Sequence, residues 1–230
     1  MSERLPAFYA HRGSTWSDIR TILHVPYTTW HLSHVAIGAG LAPDVDWTRL
    51  AGTLAAFAVG LGVGAHALDE VHDRPLGTTL GERTLWVLGI GGLLAALAIA
   101  VTGMYVISPW VLAWAVAGVL LCVAYALELS PIIHSDVGFA LAWGAFPAVV
   151  GYWAQTESLG WPILFGAAAA TVLSAVQRSL SNAAKKIRRN GEAAAMTPED
   201  EERLRTWEVP LRLLSAAVPL VAAAILAMHV

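Results

Sequence analysis

The sequence predicts an all-α, polytopic transmembrane helical bundle of about seven helices with its N-terminus in the cytoplasm. Three observations carry this reading. Of 230 residues, 57% are hydrophobic and only 13% charged, and the mean hydropathy is +0.59, well outside the mix of a soluble domain. The charges are confined to short segments between long apolar runs. The basic residues, Arg49 aside, fall in every second segment between those runs, and so on one side of the membrane, as retained loops require.

The apolar runs cover residues 21–43, 50–68, 84–127, 137–156, 158–177 and 213–230. One crossing needs roughly 20 residues, so the third run is far too long for a single helix, and Ser108-Pro109 divides it into two. The last run is short, and an interfacial placement stays open for it. Residues 21–43 lack the charged start, compact apolar core and small-residue cleavage site of a secretory signal. Cys122 is the only cysteine, which excludes disulfides and thiolate clusters within one chain and reads as a small core residue. Gly60, Gly62 and Gly64, and Gly89, Gly91 and Gly92, allow helices to approach closely where no hydrophobic effect drives them together.

Residues 178–207 form the largest aqueous segment. A helix is expected to run out of the sixth span to Gly191, and Thr197-Pro198-Glu199-Asp200 supplies a cap, a first-turn proline and first-turn acids for the next one. With neither linker nor repeat, the chain reads as a single domain, 1–230, with a cytoplasmic helical hairpin. An N-in orientation leaves Arg49 as the outside exception among 14 Lys and Arg residues. The expected location is the cytoplasmic membrane of a prokaryote. The basic inner face suits anionic lipid or an anionic substrate, no nucleic-acid partner is expected, and the oligomeric state stays open.

Three segments bring chemistry to that inner side. In "GAHALDEVHDRPLG", residues 64–77, helical spacing puts His66, Asp69, Glu70 and Asp73 on one stripe, with His72 and Arg74 elsewhere. Glu128, His134 and Asp136 flank a proline turn after the fourth span. His24, His31 and His34 lie along the first. Carboxylates alone suit magnesium, whereas imidazole beside carboxylate shifts preference toward iron, zinc or manganese. Ionisable residues at membrane depth are functional candidates by default.

Ala65-His66-x-x-Asp69-x-x-x-Asp73-Arg74-Pro75-Leu76 resembles the N-D-x-x-D-x-x-x-D motif and following R-P-L-like turn of the UbiA superfamily of intramembrane prenyltransferases. "YALELSPIIHSDVGFALAWG" is similar to that family's passage from its fourth to fifth helix. The resemblance covers about residues 20–189. It implies a lipid-accessible cavity with a cytoplasmic polar site, where aspartates hold magnesium ions that grip an allylic diphosphate; Asp69 and Asp73 would be ligands. The chain departs from the pattern at several points. His66 stands for an aspartate, Ala65 for an asparagine and Glu128 for a cation, while residues 158–191 contain no acid where a second aspartate motif belongs. It also ends about two helices earlier than a typical member.

These departures favour a UbiA-like scaffold rebuilt as a His/carboxylate metal centre acting on a lipophilic substrate. The expected metal ligands are His31, His66, Asp69, Glu70, Asp73, Glu128 and His134, with Glu70 and Asp73 as catalytic groups. Iron is favoured, as one ion or a pair in a non-haem oxidoreductase, and zinc is the hydrolytic variant. The alternative is a magnesium-dependent prenyltransferase in which Lys185, Lys186, Arg188 and Arg189 grip the diphosphate of an isoprenoid substrate. The second alternative is a non-catalytic membrane partner or metal carrier.

Overall fold

The computed structural model describes residues 14–193 and 196–230. Among these, all regular structure is helical: α1 (Thr15–Leu23), α2 (Val25–Gly40), α3 (Trp47–Val59), α4 (His66–Asp73), α5 (Glu82–Val106), α6 (Trp110–Ala126), α7 (Asp136–Ala140), α8 (Phe146–Thr156), α9 (Trp161–Ala193) and α10 (Pro198–Leu226). A π-helical turn, Gly60–Ala65, joins α3 to α4, and a second, Leu141–Ala145, joins α7 to α8. The result is seven rods. Five are long and apolar enough to cross a membrane, and the apolar α6 is shorter.

The long third run breaks as expected, with α5 ending at Val106 and α6 starting at Trp110. The last run continues the 29-residue α10, which starts behind the Thr197–Asp200 capping box as expected, carries Pro210 and Pro219 in its interior, and is long and apolar enough to cross a membrane. One expectation is corrected. The first span starts late: His24 takes a left-handed backbone (φ 48°) that stops α1, and Pro26 then begins α2. Asp18 anchors α1 across the bundle end by accepting from Thr79 N (2.9 Å) and Thr79 Oγ1.

α2 lies centrally, packed against α8 and α10. Glycine makes the α2–α8 approach possible from both sides: a methyl group on Gly38 would collide with the Ala148 carbonyl, and one on Gly151 with the Val35 carbonyl. At the end carrying Arg49, alternate helix ends are tied together. Arg49 Nη1 donates to Ala154 O (3.2 Å) and Glu157 Oε1 (3.2 Å), and His229 Nε2 donates to Gly40 O (2.9 Å). The opposite end gathers the ends of α4, α6 and α9, the start of α7 and the acidic loop residues. The alternation of the seven rods sorts the polar chemistry to that end.

Gly38→Ala and Gly151→Ala should each destabilise the folded protein by about 1–3 kcal/mol through overpacking against rigid backbone. Gly52→Ala, with nothing near its added methyl, should not. Thermal unfolding in one detergent checks the comparison, and equal loss in all three variants would rule out the tight α2–α8 crossing.

Candidate functional site

The histidines expected to ligate metal are tied to the backbone of the two π-helical turns. A π turn shifts the i→i−4 ladder and leaves carbonyls that hydrocarbon cannot satisfy. His31 Nδ1 donates to Trp143 O (3.0 Å), inside the second turn. His66 Nδ1 donates to Gly62 O (3.3 Å), inside the first, and the same ring lies against the Ile22 carbonyl at the end of α1. The His24 ring packs on His66 with centroids 4.8 Å apart. His34 Nε2 and Trp30 Nε1 both meet Ser174 Oγ, each at 3.4 Å.

Glu70 is also committed. Its side chain is wholly buried. Oε2 accepts from Leu76 N (2.8 Å), and Oε1 accepts from Thr78 N (2.7 Å) and Thr78 Oγ1 (2.9 Å). Arg74 Nη1 donates to Leu80 O (2.7 Å). Glu70 therefore folds the α4–α5 loop around a carboxylate, which is the role in which a buried acid is least costly. Glu128 and His134 pair with each other in the exposed turn after α6 (Nε2 to Oε1, 3.3 Å), and His134 Nδ1 donates to Tyr125 O (3.2 Å). Among the described residues no three His, Cys, Asp or Glu side chains come together to hold a metal ion. Among the described side chains, His31, His66, Glu70, Glu128 and His134 serve separate backbone, loop and pair contacts and do not converge on one centre. The Asp73 side chain lies outside what is described, and its backbone closes α4 one turn beyond Asp69.

What does come together is an acid facing cations. Asp69, partly buried on α4, lies within electrostatic reach of Lys185, His134 and Arg178. Arg178 Nε pairs with Asp136 Oδ1 (3.0 Å), to which Asn182 Nδ2 also donates (3.3 Å), and the Arg178 guanidinium sits 4.7 Å over the Phe139 ring. Tyr125 lies within electrostatic reach of Arg178, and its ring packs against Phe139 with centroids 5.9 Å apart. Arg178, Asn182 and Lys185 follow i, i+4, i+7 spacing and share one face of α9. On the neighbouring face, Ser181 Oγ meets the Tyr27 hydroxyl (3.0 Å) and Arg188 pairs with Glu208 (3.1 Å). Lys185, Lys186 and Arg189 are all exposed. Of the four cations expected to grip an anion, then, only Lys185 is placed by Asp69, and Arg178 is the one the sequence reading missed. Its signal was the same acid-free stretch, read from its first residue on the polar side of the span rather than from the dense KKIRR run.

Below the polar cluster a cavity of about 390 Å³ lies between α3, α5, α6 and α8. Its lining runs from Arg49 at one end to Leu61, Cys122 and Trp143 near the polar end. Arg49 and Leu61 are twelve residues apart on one rod, about 18 Å at the helical rise. Phe57, Phe146, Trp114 and Trp153 meet in sequence along it, with centroids 5.9–6.2 Å apart. The cavity is almost wholly apolar, and Trp143 of its lining packs edge-on against Tyr125 of the polar end, with centroids 5.3 Å apart.

No family model and no curated protein matches the sequence. A solved structure does share its fold: a UbiA homolog from Archaeoglobus fulgidus bound to Cd2+ aligns over 92% of this chain and 86% of that one, with a TM-score of 0.57 at 18% identity. The chain has a UbiA-like membrane fold, as the motif spacing had implied.

If His31 and His66 are backbone donors, His31→Leu and His66→Leu should each cost about 1–3 kcal/mol by leaving a buried carbonyl without a partner. Neither should change the metal content of the purified protein. Chemical denaturation alongside elemental analysis tests both, and loss of bound metal without loss of stability would restore the ligand role.

Proposed function

We propose that the chain is a UbiA-like membrane prenyltransferase, the alternative reading of its sequence, and that it moves a prenyl group from a prenyl diphosphate to a lipophilic acceptor. The observation that supports this best is an acid, Asp69, within electrostatic reach of Lys185 and Arg178, at the end of the bundle toward which the apolar cavity runs as far as Trp143. An anionic head with a long apolar tail matches both halves. The polar end is placed in the cytoplasm, where the basic residues of α9 and the following loop would be retained. The iron oxidoreductase reading required imidazoles and carboxylates to converge, and these side chains hold π turns and loops instead.

The donors left for a cation are oxygens: the Asp69 carboxylate, with Asp73 one turn on along the same helix. Oxygen-only ligation suits a hard divalent ion such as magnesium rather than iron. The similar structure was determined with Cd2+, which supports a divalent site in this fold. A cation held there would neutralise the leaving phosphate oxygens.

The chain's own residues divide the remaining work. Lys185 and Arg178 orient the diphosphate and stabilise the charge that grows on it as the allylic C–O bond breaks and the electron pair leaves with the phosphate oxygen. The cavity between α3, α5, α6 and α8 holds the tail and excludes water, so that the acceptor's nucleophilic atom, rather than water, bonds the allylic carbon and then loses its proton. The aromatic rings of Phe57, Phe146 and Trp114 line the path of the polyene.

Purified protein given a prenyl diphosphate, a membrane lipid extract as acceptor and magnesium should release pyrophosphate and form a prenylated lipid. Asp69→Asn should slow this by about a hundredfold or more, while Glu128→Gln, in the exposed turn, should change it little. A protein that releases no pyrophosphate under these conditions, with any prenyl chain length, would contradict the reading.

A further inference from the structure

We infer that this site holds its diphosphate with one divalent cation and two protein cations, Arg178 and Lys185, which stand in for a second metal. The inference rests on the prenyl-diphosphate reading and adds how the anion is held. Residues 158–191 carry no acid, so the stretch of α9 that runs beside α7 and past Lys185 offers no carboxylate for a second ion. In its place the α9 face that meets α7 carries Arg178, Asn182 and Lys185. Two side-chain charges deliver what one divalent ion would, without the need for ligands of their own.

The geometry prepares Arg178 for this task. Its Nε is tied to Asp136 Oδ1 and its plane lies over the Phe139 ring. Tyr125 of α6 packs against the same Phe139 ring, with centroids 5.9 Å apart. A guanidinium braced twice by α7, through Asp136 and Phe139, presents a fixed fork, and fixed donors lose little entropy when an anion arrives. Asp136 is largely exposed, with 72% of its side-chain surface accessible, so water screens its charge against the incoming phosphate. Lys185 comes from two turns further along α9 and lies within electrostatic reach of Asp69. The anion therefore fits between a carboxylate on α4 that would bear the metal and two cations of α9, Arg178 held in place and Lys185 exposed to solvent. Arg188 cannot join them while its guanidinium is held by Glu208, an acid shared with Arg212 (3.3 Å).

This arrangement gives the site a property that a two-metal site lacks: it should retain diphosphate when divalent ions are removed. The test is calorimetric titration of the full detergent-solubilised chain with inorganic pyrophosphate, in excess magnesium and then in chelator. The expected result is binding in both, weaker in chelator, with one magnesium taken up per chain. Arg178→Met and Lys185→Met should each weaken binding by about ten- to a hundredfold in chelator, and Lys185→Arg should restore most of it. A matched elution profile and melting temperature show that the variants are folded. Pyrophosphate bound only with magnesium, two magnesium ions per chain, or Met variants that bind as wild type would each overturn the inference and leave the prenyl-diphosphate reading standing. No binding in either condition would overturn both.

Discussion

A main chain inside hydrocarbon must satisfy its own carbonyls, and the rest of this structure depends on how that is done at two places. The rods α3–α4 and α7–α8 each contain a π-helical turn, which re-aims the polar end of the rod but disturbs the hydrogen-bond ladder. His66 and His31 supply the missing donors at Gly62 and Trp143. Glycine allows the same turns to be crossed closely: a side chain at Gly92 would strike the backbone of Gly64, and one at Gly144 the Ala170 carbonyl. These turns set the phase of α4 and α7 relative to the helices behind them. Asp136 thereby meets Arg178 and Asn182 of α9, and Asp69 comes within electrostatic reach of the same helix.

The polar end is stabilised in layers around that phase. Glu70 gathers the α4–α5 loop, Asp18 ties α1 to Thr79, and Ile22 of α1 packs with Ala67, Leu80 and Leu85. None of these groups faces the cations of α9 in the way Asp69 does. The most buried acids are thus structural, and the chemically useful acid is the partly accessible one. Buried carboxylates that accept several hydrogen bonds are poor candidates for chemistry for the same reason that they are good loop anchors.

The sequence made the seven rods, the break at Ser108-Pro109 and the UbiA-like arrangement readable, because apolar length and motif spacing are local properties. The site was less readable. His31 and His66 looked like ligands since a linear pattern records that an imidazole sits at membrane depth, not which carbonyl it meets; the π turns that create the need are not visible as a period. Glu70 shares the Asp69 stripe on an ideal helix, yet the loop folds back onto it and not onto its neighbour. Arg178 was passed over because its partners, Asp136, Asn182 and Tyr125, are brought together only by the packing of α6 and α7 on α9.

The departures from the family pattern then take on one physical meaning. Where acids are absent from α9, cations stand, and where His66 replaces an acid it serves the backbone. A metal-rich head site has become one in which protein charge carries more of the anion. The most direct measurement is an experimental structure of the full chain with magnesium and a non-hydrolysable prenyl thiodiphosphate. The account predicts phosphate oxygens bonded to Arg178 and Lys185, a single cation at Asp69, and the tail running past Trp143 toward Phe57 and Trp114. A head group seated away from α9, or a metal ligated by His31 or His66, would contradict it.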